Sequence, residues 1–244
     1  MKKIFTLIAV AAMAISANAQ EKYIIQKDFV PSKGQVVEAT TSTTITFSDD
    51  PGWKASNPAD GGFVNQKDYI AGVTGTQNPK DGGYGSDGKS AGNGYKPDTK
   101  NLPNAGVYYI VKASQAGAFE LALKVGSGKN FYICNADDGS ALANTDITGV
   151  NENGALTLSA DYLWSDEGEM LVTFNAEANK SYYIFCTGSK LTFFGYTFTS
   201  ATGIESVKAS MNTANGEVYN LAGQKVNANA KGLVIKNGKK MIQK

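Results

Sequence analysis

Mostly apolar residues recur at every second position in several segments of this chain. This period of two limits the fold more than any other feature. Such a period places alternate side chains on opposite faces of a strand. The short segments are separated by Gly, Asn and Asp clusters, which predicts an all-β fold, an antiparallel β-sandwich of jelly-roll-like type. The repeating positions are Thr43, Ile45 and Phe47; Val107, Tyr109 and Val111; Phe119, Leu121, Leu123 and Val125; and Met170, Val172 and Phe174.

One segment breaks the alternation. Leu191 and Phe193 would face one side of a strand, whereas Phe194, Tyr196 and Phe198 would face the other. Such a strand is either central, with both faces covered, or it carries a bulge near the glycine at position 195 that re-aims its side chains. We expect this segment to be the final core strand of the main domain.

The first residues have the pattern of a signal peptide. Lys2 and Lys3 precede an apolar run over residues 4–15, and Ala17 and Ala19 supply small residues at the cleavage positions. We therefore expect residues 1–19 to be removed and the protein to be extracellular or on the outer cell surface. No second long apolar stretch follows, so no transmembrane span is expected in the mature chain.

Composition and hydrophobic pattern divide the remaining chain into two parts. Residues 20–202 form the predicted sandwich, with long Gly-, Asn- and Asp-rich loops over residues 48–106, and residues 203–244 form a small C-terminal β module. In that module the Asn237-Gly238 pair predicts a two-residue hairpin turn. The turn would place Leu233 opposite Ile242 and Val234 opposite Met241.

Two missing residue types exclude several functions. The chain has no His and no Arg, which excludes Ser-His-Asp and Cys-His catalysis, His-bearing zinc sites and guanidinium clamps on phosphate. Without the signal peptide, 21 of the 23 lysines remain against 22 acidic residues, a net charge of −1. This balance predicts no nucleic-acid partner. Cys134 and Cys186 are the only cysteines, and the sequence leaves open whether they form a disulfide or remain buried thiols.

Aromatic residues in polar, turn-rich surroundings are the candidates for binding sugar. Sugar rings stack on flat aromatic faces, and their hydroxyls bond to carboxylates and amides. The alternative is that the tryptophans simply pack in the core. The predicted ligand-binding residues are Trp53, Tyr84, Asp87, Tyr95 and Trp164.

Loop carboxylates raise the question of calcium and of catalysis. Their oxygens suit a hard cation, but turns favour Asp for other reasons, so solvated turn residues are the alternative. We therefore expect no cofactor, with calcium the metal to consider. Neighbouring carboxylates on a strand would point to opposite faces, so we expect no catalytic residues. The candidate calcium ligands are Asp81, Asp87, Asp137 and Asp138.

Two parts of the chain resemble known families. Residues 203–208, 218–226 and 231–240 resemble the C-terminal sorting domains of Bacteroidetes proteins exported by type IX secretion, which implies that the secretion machinery is a partner. Residues 101–109, 129–133 and 180–198 resemble the β-sandwich accessory domains of secreted Bacteroidetes glycan-degrading proteins, including some pectate lyases. That resemblance implies a non-catalytic carbohydrate-binding module for plant or host polysaccharide. The alternatives are a structural or adhesive surface protein and a polysaccharide-acting enzyme that uses carboxylates.

Overall fold

The computed structural model describes residues 20–201 and the backbone of four short strands between residues 218 and 243. Positions 51, 59–60, 76, 80–94, 99, 127, 167 and 188–190 lie outside the described part. Contacts divide the chain into one unit of Asn18–Ala201 and another that contains Thr202–Lys244. In the described part, no helix has the length and apolarity that a membrane span requires.

The first unit is built from thirteen strands among its described residues, with short 3-10 turns at Asn65–Lys67 and Asn144–Asp146. The strands are β1 Gln20–Ile24, β2 Val36–Glu38, β3 Thr43–Phe47, β4 Lys54–Ser56, β5 Gly72–Thr74, β6 Tyr109–Ala113, β7 Gly117–Val125, β8 Phe131–Asn135, β9 Thr148–Asn151, β10 Gly154–Leu156, β11 Gly168–Ala176, β12 Ser181–Cys186 and β13 Leu191–Ser200.

The strands form two antiparallel sheets whose inner faces share one core, so the predicted β-sandwich is confirmed. The larger sheet has the order β10-β9-β11-β7-β13-β5-β4, with β1 also paired to β13. The smaller sheet has the order β2-β3-β6-β12-β8. From β6 to β9 each successive strand changes sheet, so the connecting turns cross the rim of the sandwich.

The inner faces carry the residues that the period of two predicted. Phe119 and Phe174 stack at 5.5 Å within the larger sheet, and Tyr109 of the smaller sheet stacks on Phe193 of the larger one at 5.0 Å. The Tyr109 hydroxyl also lies 3.0 Å from the Val73 carbonyl oxygen and 2.9 Å from that of Leu191. The two sheets are therefore joined by aromatic packing and by a buried hydroxyl.

Strand β13 has both faces buried and also carries the bulge. The register with β7 shifts between Phe193 and Gly195, and Gly195 has a φ of 138°. Because of the shift, Phe193 and Tyr196 both face the shared core, whereas Phe194 packs on the outer side. A Cβ at Gly195 would lie 2.2 Å from the Tyr23 carbonyl oxygen of β1, so only glycine fits.

The two cysteines lie on neighbouring strands but on opposite faces of the smaller sheet. Cys186 belongs to the core between the sheets, and Cys134 belongs to an aromatic cluster on the outer face. A disulfide needs Cβ atoms about 3.5–4.5 Å apart, which opposite faces do not allow. Of the two alternatives, the structure shows two buried thiols that form no disulfide.

The second unit contains an antiparallel sheet in the order β15-β14-β16-β17, formed by β14 Val218–Tyr219, β15 Lys225–Val226, β16 Gly232–Lys236 and β17 Lys239–Gln243. Leu233 pairs with Ile242, and Val234 pairs with Met241. The predicted register of this hairpin is confirmed.

The bulge gives a direct test of the fold. We expect Gly195→Ala to lower the free energy of unfolding by more than about 3 kcal/mol, since it adds a backbone clash to a strained φ. Gly34 has a φ of 65°, and a Cβ at this position would meet nothing within 4 Å, so Gly34→Ala should cost only about 1–2 kcal/mol. Urea denaturation of both variants measures the difference, and equal losses would contradict this account of the bulge.

The cysteine positions give a second test. Burial raises the pKa of Cys134 to about 12, so it carries almost no thiolate at pH 8. We expect a thiol reagent at pH 8 to leave the folded protein unmodified and to find two thiols per chain in denaturant without reductant. The Cys134→Ala variant should then show one. Fewer than two thiols in the denatured wild type would mean that the pair is oxidised.

Candidate functional site

Trp53 is a core residue at the edge of the shared core. Its indole is 8% exposed and packs against Phe47 at 5.9 Å and Tyr109 at 5.6 Å. The indole N–H donates to the Ser48 carbonyl oxygen at 3.1 Å. Both the ring and its polar atom are thus engaged within the protein.

Tyr95 closes the aromatic cluster on the outer face of the smaller sheet. Its ring packs edge-on against Tyr132 at 4.7 Å and Phe185 at 5.2 Å, and only 6% of the residue is exposed. Its hydroxyl donates to the Gly139 carbonyl oxygen at 3.2 Å. Burial raises the pKa of Tyr95 far above its ordinary value. Both the ring and the hydroxyl of Tyr95 are therefore engaged in contacts within the protein.

The candidate carboxylates fall into two groups. Asp81, Asp87 and the candidate aromatic Tyr84 lie outside the described residues. Asp137 pairs with Lys180, and Asp138 accepts hydrogen bonds from the backbone and the hydroxyl of Ser140, which lower the pKa of Asp138. Within the described part of the chain, no three His, Cys, Asp or Glu residues are grouped to hold a metal ion.

The fifth predicted residue, Trp164, lines a groove of about 330 Å³ at the rim of the sandwich. One wall contains Gly126, Gly128 and Lys129, from the part of the chain that leads from β7 to β8. The other is the segment over residues 161–166, which leads into β11. The lining residues are Val125, Gly126, Gly128, Lys129, Leu163, Trp164, Ser165 and Asp166.

Backbone hydrogen bonds hold these two walls together. The Phe131 N–H donates to the Tyr162 carbonyl oxygen at 2.9 Å, and Asn130 forms an isolated bridge with Leu163. The Asn130 side chain also donates to the Asp161 carbonyl oxygen. The groove is therefore a preformed feature of the crossing between the sheets.

Tyr162 occupies a strained conformation at the base of this segment. Its φ is 61°, a left-handed value that bulky residues rarely adopt. The ring packs against Tyr132 at 5.0 Å, and the next residue, Leu163, is 41% exposed beside the groove. Strain of this kind costs about 1–3 kcal/mol and is concentrated at functional sites.

The Trp164 indole packs against the protein at Phe131 and Gly149. It lies 5.9 Å from the Phe131 ring, and a Cβ at Gly149 would approach its Cη2 to 2.9 Å, so the glycine leaves the indole its space. The residue is 6% exposed, and its Nε1–H has no hydrogen-bond partner among the described residues. A buried donor left unpaired costs about 1–3 kcal/mol.

Two charged groups of opposite sign line the groove. The Asp166 carboxylate accepts a hydrogen bond from the Asn151 side-chain amide at 3.0 Å, which orients it. Lys129 is partly buried in the opposite wall, and none of the ion pairs within the described part of the chain involves it. The groove thus offers a cationic donor and an anionic acceptor.

Sequence reasoning found Trp164 but missed the residues around it. Lys129, Leu163 and Gly128 carry no motif, and only three adjacent large residues at positions 162–164 in a polar segment could have pointed there. Comparison with known proteins adds no assignment: no protein-family model matches the chain, and no curated protein matches its sequence.

Proposed function

We propose that this protein is an exported, non-catalytic carbohydrate-binding β-sandwich, and that the groove beside Trp164 is its polysaccharide site. The N-terminal pattern over residues 1–19 supports export, and residues 203–244 would serve as the address for the secretion machinery. The ligand would be a plant or host polysaccharide met outside the cell.

A preformed groove lined by Trp164 is the observation that carries this proposal, because it holds the half-exposed Leu163 together with one ammonium and one carboxylate group. Sugar hydroxyls form hydrogen bonds with both kinds of charged group. Leu163 gives an apolar surface for the C–H face of a pyranose.

The size of the groove and its charges favour binding over chemistry. Its volume of about 330 Å³ lies at the lower end of the range for small-ligand sites, about 300–1,000 Å³. Glycoside hydrolysis commonly uses two carboxylates on either side of the scissile bond. Among the described residues that line the groove, Asp166 is the single carboxylate, and Asn151 holds it.

The alternative of a structural or adhesive protein has less support. Assembly through sheet edges needs long, exposed edge strands. Strands β2, β4, β8 and β10 stand at the ends of the described sheet orders; β8 has five residues and the others have three. The outer edge of β8 is covered, since the Phe131 N–H donates to the Tyr162 carbonyl oxygen and the Ile133 carbonyl oxygen accepts from the Leu142 N–H. Such short edges offer few backbone groups to a neighbouring chain.

The two tryptophans give a direct test of the site. Trp53→Phe leaves Trp164 as the sole indole, and Trp164→Phe leaves Trp53, which does not line the groove. We expect a bound polysaccharide to change the emission of the Trp53→Phe protein and not that of the Trp164→Phe protein. Galactan, arabinoxylan, polygalacturonate and chondroitin sulfate serve as probes, and thermal melts confirm folding. A response from Trp53 alone would place the ligand elsewhere.

A matched pair of glycine variants tests the groove without touching the indole. Gly128 lines the groove with a φ of 62°, Gly34 lies elsewhere with a φ of 65°, and a Cβ at either would meet nothing within 4 Å. Asparagine tolerates this left-handed conformation, so both variants should fold. We expect Gly128→Asn to weaken binding at least tenfold by filling the groove, and Gly34→Asn to leave it unchanged. Equal binding by both variants would contradict the proposed site.

A further inference from the structure

We infer that the groove takes an uncharged sugar, whose hydroxyls span the Lys129 ammonium and the Asp166 carboxylate. This inference rests on the proposed function and specifies the class of glycan that the site accepts. It concerns recognition in this one groove and requires no metal ion.

The charges that line the groove disfavour a strongly charged ligand. The described lining residues carry one positive group, Lys129, and one negative group, Asp166, so their net charge is zero. A uronate or sulfate that approached Lys129 would also meet the Asp166 carboxylate. A cationic ligand would meet the Lys129 ammonium. Repulsion between like charges therefore acts against both kinds of ligand, although Asp166 is exposed and water weakens it.

A hydroxyl group matches both walls at once. Each hydroxyl donates one hydrogen bond and has two acceptor lone pairs, whereas an ammonium only donates and an ionised carboxylate only accepts. Neighbouring hydroxyls of one sugar can accept from Lys129 and donate to Asp166. Hydrogen bonds to charged groups are stronger than those between neutral groups, so this pairing favours a neutral polyol over water.

The apolar parts of the groove fit the remaining surface of such a sugar. Leu163 stands 41% exposed on one wall, and Gly126 and Gly128 leave part of the other wall open beside Lys129. The space above Gly128 is open to at least 4 Å. A ring can therefore lay its C–H face on Leu163 while its hydroxyl edge reaches the two charged groups.

One polymer in two charge states tests the inference. Homogalacturonan that is fully methyl-esterified is neutral, and the same chain after de-esterification is anionic. Galactan, arabinoxylan and mannan extend the neutral set, and chondroitin sulfate extends the acidic set. We expect binding only within the neutral set, with a Kd that changes less than about twofold between 20 and 500 mM NaCl, because no ion pair with the ligand is screened.

Removing each charge separates the two ligand classes. For a neutral sugar, both Lys129→Met and Asp166→Asn should weaken binding, about tenfold or more for the lost ammonium donor. For an acidic sugar, Lys129→Met would weaken binding but Asp166→Asn would strengthen it, since a repulsion is removed. Lys27→Met and Asp98→Asn are the matched controls, because both residues are exposed and outside the groove.

The outcomes keep this inference distinct from the proposed function. Neutral binding that both groove variants weaken supports the inference. Acidic binding that Gly128→Asn blocks and Asp166→Asn strengthens overturns it and leaves the carbohydrate-binding module intact. Binding to neither class, with all variants folded by thermal melt, overturns the proposed function and the inference together.

Discussion

The burial of both faces of β13 is the constraint on which the sandwich depends. Its inner side packs against the smaller sheet, and its outer side is covered by Val64 and Tyr69. A regular strand would send Tyr196 outward after Phe193, and the bulge at Gly195 returns it to the core. Because β7, β5 and β1 all pair with β13, that one irregularity sets the register of the larger sheet around it.

The groove is a consequence of how the chain passes between the sheets. Strand β7 lies beside β13 in the larger sheet, and the next strand, β8, lies at the edge of the smaller one. The connection from β7 to β8 must therefore cross the rim, where the core ends and backbone groups need partners. Residues 161–163 supply those partners, and the space between the two segments is the groove.

The sequence predicted what local periodicity determines and missed what distant contacts determine. Strand positions such as Phe119 and Val172 follow from a period of two. For the strand around Gly195 the sequence predicted either two covered faces or a bulge, and the structure has both. Trp53 and Trp164 look alike in sequence, since Asp and Ser residues lie near both of them. Only the fold shows that Ser48 accepts from Trp53, whereas the donor of Trp164 stays unpaired among the described residues.

The presence of Lys129 and Asp166 in one groove lay further beyond sequence reasoning, because these residues stand on opposite walls of a rim crossing. The left-handed conformation of Tyr162 in one of these walls is likewise not predicted by any local residue preference. The separation of Lys129 and Asp166 in the sequence also explains why the net charge of the whole chain says little about a ligand of this groove. A net charge near zero argued only against nucleic acid, whereas two opposite charges placed across one groove argue for a ligand that both donates and accepts hydrogen bonds. With no arginine in the chain to form a bidentate clamp and no histidine to change charge near neutral pH, the groove relies on one ammonium and one carboxylate, which fits the hydroxyl recognition that we propose for it.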